Sequence, residues 1–169
     1  MRIACTIADG RGGTDRLLAS FGQALLKDGQ RVCGTVQFNT ENCTGGKCDM
    51  DVRVLPDGPI IRISQSLGAG ARGCRLDPGA LEQAVGLVAD RLEAGADLLI
   101  VNKFGKHEAE GRGFRPLIAA AIEREIPVLV GLNVLNRPAF DAFSGGLAEP
   151  LDATMGALLS WFENVSVVA

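Results

Sequence analysis

The segment that most constrains this chain is its start: the apolar run Ile3-Ala4-Cys5-Thr6-Ile7, then Ala8-Asp9-Gly10-Arg11-Gly12-Gly13-Thr14-Asp15, then apolar residues at helical spacing. Strand, glycine-rich loop and amphipathic helix, in that order, form the frame of a phosphate-binding loop. A working loop reads G-x-x-x-x-G-K-S/T: glycine amides cradle phosphates, the lysine reaches the terminal ones, and the hydroxyl binds magnesium. Here Ala8 stands at the first glycine, Thr14 at the lysine and Asp15 at the hydroxyl residue. A helix N-terminus can still offer amides to an anion, which makes Gly10, Arg11, Gly12, Gly13 and Thr14 candidate anion-binding residues. Asp15 would repel the third phosphate of a nucleotide. The frame is that of a nucleotide hydrolase whose phosphate loop is degenerate, and it predicts that hydrolysis is lost.

The rest of the chain alternates strand and helix, which predicts a three-layer, doubly wound α/β fold with a mainly parallel sheet and helices on both faces. Strand patterns fall at Ile3–Ile7, Val32–Gln37, Leu98–Val101 and Val128–Leu132, the last two being continuous apolar runs of the kind buried mid-sheet. Helices are expected over Asp15–Asp28, from Pro78 behind an Asp77 cap to Gly95, over Pro116–Glu125, and in short pieces near Pro138–Phe143 and Asp152–Phe162. Val52–Leu55 and Ile60–Ile63 flank Pro56-Asp57-Gly58-Pro59, a β-hairpin signal inserted within an excursion of about residues 39–76. The 169 residues fit one domain, 1–169, with 47% hydrophobic content for its core.

Several function classes are excluded on composition. A net charge of −3 and a pI near 5.2 argue against nucleic-acid or membrane-surface binding, each of which needs a basic face. No apolar run approaches the roughly 18 residues that cross a bilayer, so no membrane insertion is expected and the cytoplasm is the expected location. Five cysteines make an odd set that argues against a disulfide framework. Cys5 and Cys33 sit in strand patterns and read as small core residues. Cys43, Cys48 and Cys74 lie in glycine-bearing loops and are candidate soft-metal ligands, although a structural zinc site needs four ligands.

Basic residues concentrate in loops that should emerge at one sheet edge. The loops Asp9–Thr14, Ser64–Arg75 and Asn102–Arg115, with Arg62 just before the second, hold Arg11, Arg62, Arg72, Arg75, Lys103, Lys106, Arg112 and Arg115. Guanidinium forks match tetrahedral oxyanions, and Ser64 and Ser66 add donors, so these residues together suggest an anion pocket. The competing reading spreads the cations round a solvated rim, paired with Glu108, Glu110, Asp77 and Asp57. His107, the only histidine, is a candidate proton carrier, and Asp9 a candidate acid or magnesium ligand. No magnesium carboxylate ends the strand Leu98–Val101; Asn102-Lys103 follows instead, and a lysine there can serve an anion directly.

The segments Cys48–Gly58, Ile63–Gly68, Gly73–Asp77 and Asn102–Lys106 resemble a bacterial domain-of-unknown-function family often encoded beside molybdenum ABC-transporter genes, a resemblance that runs over nearly the whole chain. It implies a link to molybdate uptake or storage. More distantly, the first strand, loop and helix with Gly29–Gly34 are similar to small phosphate-loop nucleoside triphosphatases and to the adapter of molybdopterin-guanine-dinucleotide synthesis. The departures at Ala8, Thr14, Asp15 and Asn102 point away from hydrolysis and leave the fold untouched.

The leading expectation is a cytosolic oxyanion-binding protein with molybdate or tungstate as ligand. Arg62, Arg72, Arg75, Lys103, Lys106 and Arg112 would neutralise charge, while Gly10, Gly12, Gly13, Ser64 and Ser66 donate hydrogen bonds. The alternative is an enzyme that binds a nucleotide or a molybdopterin-like phosphate, with Asp9 and His107 taking part in group transfer or slow hydrolysis. Molybdenum transport or cofactor-synthesis proteins are the partners either reading implies, and a homodimer or higher homo-oligomer is compatible with both.

Overall fold

The computed structural model describes residues 2–40, 49–66 and 75–166. Strands β1 (Ile3–Thr6), β2 (Val32–Thr40), β3 (Asp49–Leu55), β4 (Ile60–Arg62), β5 (Leu98–Asn102), β6 (Val128–Gly131) and β7 (Glu149–Leu151) form one sheet in the order β4-β3-β2-β5-β6-β1-β7. The five strands from β2 to β7 across the sheet run parallel; β3 and β4 are antiparallel at one edge. The helices are α1 (Gly13–Lys27), α2 (Pro78–Glu93), α3 (Lys106–Ala109), α4 (Arg115–Glu123), α5 (Arg137–Ser144) and α6 (Met155–Ser166).

The continuous apolar strands divide their side chains between two cores, because successive residues of a strand face opposite sides. Leu98, Ile100 and Leu129 pack with Leu18, Phe21 and Leu25 of α1 and Leu158, Trp161 and Phe162 of α6. Leu99, Val101, Val128 and Val130 pack on the other face against Leu81, Val88 and Leu92 of α2, Ile118 of α4 and Phe140 of α5. Helix α2 starts where the sequence places it: the Asp77 side chain accepts from Ala80 N at 3.1 Å, with Pro78 in the first turn.

Three elements depart from the sequence reading. β2 and β3 extend into the stretch expected to be a polar loop, pairing Asn39 with Met50 and Thr40 with Asp49, because a backbone ladder does not need apolar side chains. Lys106–Ala109 forms one helical turn inside the loop that follows β5. Glu149–Leu151 is a strand that carries no apolar alternation; its Pro150 is tolerated because β7 lies at the sheet edge and pairs only with β1.

One ion pair ties the start of β2 to the start of β5. The Asp97 carboxylate accepts from Arg31 Nη2 at 2.6 Å and from Arg31 N at 2.7 Å, and the guanidinium above all holds its pKa below the ordinary 3.8. A depressed carboxylate pKa contributes stability that is present above the unfolded value and is lost as pH falls through the folded one. Asp97→Asn is therefore expected to flatten the dependence of thermal stability on pH below about 4 relative to the parent, measured by circular dichroism melts. An unchanged acid limb would show that Asp97 is not the group responsible.

Candidate functional site

From β1 the chain crosses over β6 and β5 to reach β2 by way of α1, while from β6 it passes β1 to reach β7 by way of α5. The helices α1 and α5 lie on opposite faces, so the loops after neighbouring strands β1 and β6 diverge and leave a crevice at their carboxyl ends. A cavity of about 160 Å³ occupies it, bounded by Ala8, Gly10, Gly12, Thr14, Asp15 and Lys103, with Asn133 beyond β6.

This first turn is closed by its own side chains. Ala8 N donates to Thr14 Oγ1 at 2.9 Å, so the residue at the lysine position of a phosphate loop ties the turn together. Gly12 caps α1 at φ 72°, a left-handed conformation suited to glycine. Asp15 is buried, and Lys103 Nζ lies 3.3 Å from its Oδ1, close enough for an ion pair though not aligned as a hydrogen bond. Asp15 is thus an internal carboxylate with its own lysine. Asp9 and Arg11 are exposed at the tip of the turn, where Arg16 Nη1 donates to Arg11 O at 3.4 Å.

A larger cavity, about 590 Å³, adjoins it over the carboxyl ends of β2 and β5. Lys103 and Asn133 line both spaces. Of the sequence candidates, Lys103, Lys106, His107 and Arg112 line the larger cavity, together with Glu108, Glu110 and the amide-bearing residues Gln37, Gln65, Asn102, Asn133 and Asn136. The amide residues carry no charge signal and were not singled out as donors from the sequence; only the position of Asn102 at a strand end marked it. Asn102 is 1% exposed, and among the described residues neither its Nδ2 nor its Oδ1 has a hydrogen-bond partner. The Asn102–Lys103 peptide is cis.

The cations there are more fully matched by carboxylates than composition suggested. Glu110 pairs with Arg112 and lies 3.8 Å from Lys106; the Arg112 guanidinium beside it holds the Glu110 pKa below its usual range. His107 Nε2 meets Glu82 Oε1 at 3.0 Å, and the same oxygen accepts from Gly113 N at 3.0 Å. Glu108, 2% exposed, accepts from Gly105 N and Phe114 N and so shapes the loop backbone.

Arg62, Ser64 and Arg75 lie apart from the cavity wall in a polar network of their own. Arg62 pairs with Asp49 and Asp51, each at 3.0 Å; Arg75 Nη2 lies 3.3 Å from Asp49, and Ser64 Oγ donates to Asp49 at 3.2 Å. Two arginines against two aspartates leave that network close to neutral. Ser66 is exposed. Arg72, Cys43, Cys48 and Cys74 lie outside the described residues. Among the described residues no group of three or more potential metal ligands occurs, and no helix is long and apolar enough to cross a membrane. Cys5 and Cys33 are buried, and burial pushes the Cys33 thiol up to about 12.

An open, mostly parallel sheet with helices on both faces and a crevice at the loop after β1 defines this protein's class as an α/β fold of the phosphate-loop type. The solution structure of a human cancer-related nucleoside triphosphatase has the same fold, superposing with a TM-score of 0.61 over 99% of this chain and 97% of that one at 16% identity. The chain belongs to the protein-of-unknown-function family DUF2478, whose model matches residues 3–161. It is 36% identical over 165 residues to molybdenum import ATP-binding protein ModC 2 of Bradyrhizobium diazoefficiens. That match spans 98% of this chain and 18% of the relative's length.

Proposed function

We propose that this protein binds a tetrahedral oxyanion of the molybdate or tungstate class at the corner formed by Lys103 and Asn133, without classical nucleotide hydrolysis. The observation that carries the reading is Lys103, the cation that lines both cavities just beyond a central strand, its side chain 30% exposed. The buried Asn102 amide is turned to the α1 face, beside Thr14 and Leu18, and away from the larger cavity. Lys103 supplies the charge, Asn133 faces both cavities, and Lys106 and Arg112 stand on the rim. The molybdenum-import relative supplies the chemical context.

Hydrolysis is disfavoured by the first turn. A triphosphate seated there would place its charge against buried Asp15, and Thr14, already bonded to Ala8 N, cannot replace a lysine. Of the six sequence-named cations this reading uses Lys103, Lys106 and Arg112, which line the larger cavity; Arg62 and Arg75 do not line it, and Arg72 lies outside the described residues.

Titration calorimetry with molybdate, tungstate and sulfate tests the proposal, and saturable binding of molybdate or tungstate is expected. Asn133→Ala is expected to weaken that binding severalfold and to cost about 0.5–2 kcal/mol of stability, since the Asn133 side chain also accepts from Asn136 N. Absence of saturable binding by the parent protein, or undiminished binding by the alanine variant, would reject the assignment.

A further inference from the structure

The larger cavity is far bigger than a bare tetrahedral anion requires. At about 590 Å³ it falls in the range of roughly 300–1,000 Å³ typical of sites for drug-sized organic ligands. Five heavy atoms of an oxyanion need about the room of two or three waters, roughly 60–90 Å³. The surplus volume has a distinct lining. Met50 on β3, Leu76 ahead of α2, Pro78 and Leu81 within α2, and Phe114 ahead of α4 form an apolar wall. Its charged lining is matched within the protein, Lys106 and Arg112 by Glu110 and Lys103 by Asp15, while Glu108 accepts from Gly105 N and Phe114 N, and neutral amide residues complete the polar side. Such a chamber favours an organic body over a second hydrated ion, because apolar surface gains by leaving water and free charge does not.

We infer that the ligand is an oxyanion ester with a planar organic body: one phosphate-like head at Lys103 and Asn133, and an aromatic or heterocyclic body against Met50, Leu76, Leu81 and Phe114. This deepens the oxyanion reading and rests on it for the position of the head group. It places the organic part over β2 and β3 and beside α2, away from the degenerate first turn. Lys103 and Asn133 line both the chamber and the smaller cavity, so a head group held between them leaves the organic body facing the apolar wall.

The test compares molybdate, inorganic phosphate, phenyl phosphate and 1-naphthyl phosphate by calorimetry on the full chain. Affinity is expected to rise at least tenfold from inorganic phosphate to 1-naphthyl phosphate. Two variants, Leu76→Trp and Met50→Trp, fill the chamber without adding charge; whichever retains the parent circular dichroism spectrum should lose that gain and keep its affinity for molybdate. Equal affinity for the phosphate and its aryl esters, or a gain that survives both substitutions, overturns the chamber assignment and leaves the oxyanion corner standing. No binding of molybdate or inorganic phosphate, with aryl esters bound equally well by Lys103→Met, overturns the corner and the inference built on it.

Discussion

Gly34→Ala should prevent this protein from accumulating in its folded form, or lower its stability by about 4 kcal/mol or more, a loss reached only by a few named mechanisms. Gly34 sits in β2 at φ +117° and pairs with Ile100 of β5. A Cβ built there would lie 1.9 Å from Ile100 O and 2.7 Å from Ile100 C, backbone atoms of a central strand that cannot swing aside. The substitution therefore forces the two strands apart at the junction between the parallel strands and the antiparallel hairpin. Circular dichroism should report loss of the cooperative transition or a fall in melting temperature of about 10 °C or more. Gly86→Ala is the control: Gly86 is an exposed position within α2 with nothing within 4 Å of its added Cβ, and alanine there should add about 0.5–1 kcal/mol through helix propensity. A parent-like melt for Gly34→Ala would show that β2 and β5 do not approach as closely as described.

Lys103→Met should reduce molybdate affinity by more than tenfold and also destabilise the protein. Its ammonium lies beside the Asp15 carboxylate, whose side chain is only 6% exposed, so its loss strands a buried charge. Removing one partner of a fully buried pair costs about 3–5 kcal/mol; the lysine is 30% exposed, so solvent screening brings the expectation nearer 2 kcal/mol. Asp15→Asn acts in the opposite sense on the ligand, releasing Lys103 and strengthening molybdate binding severalfold. The double variant Asp15→Asn/Lys103→Met should recover much of the stability and none of the binding, which separates the structural pair from the ligand contact. Calorimetry and thermal melts on the four proteins complete the cycle. Unaltered molybdate binding by Lys103→Met would remove the lysine from the site.

The frame of the fold was legible because it depends on periodicity. Continuous apolar runs at Leu98–Val101 and Val128–Leu132 mark strands covered on both faces, and Asp77-Pro78 marks a helix start, each through short-range physics that one segment contains. β7 was not legible, since Glu149-Pro150-Leu151 becomes a strand only by lying against β1. The candidate site divides along the same line. Residue type marked Lys103, Lys106, Arg112 and His107 as chemically able, and they do line one cavity. Residue type was silent on Gln37, Gln65, Asn133 and Asn136, whose neutral amides become notable only when the fold gathers them.

The amino-acid order alone determined the alternation of strand and helix, the altered first turn at Ala8, Thr14 and Asp15, and the lack of a carboxylate after β5, because each is a local matter of residue type and spacing. Tertiary structure alone decided which charges remain available to a guest. Asp49 and Asp51 reach Arg62 and Arg75 across a hairpin, and Asp15 reaches Lys103 across the sheet edge. Coulomb attraction falls off with distance in space, whatever the separation along the chain, so no reading of sequence position could assign those partners.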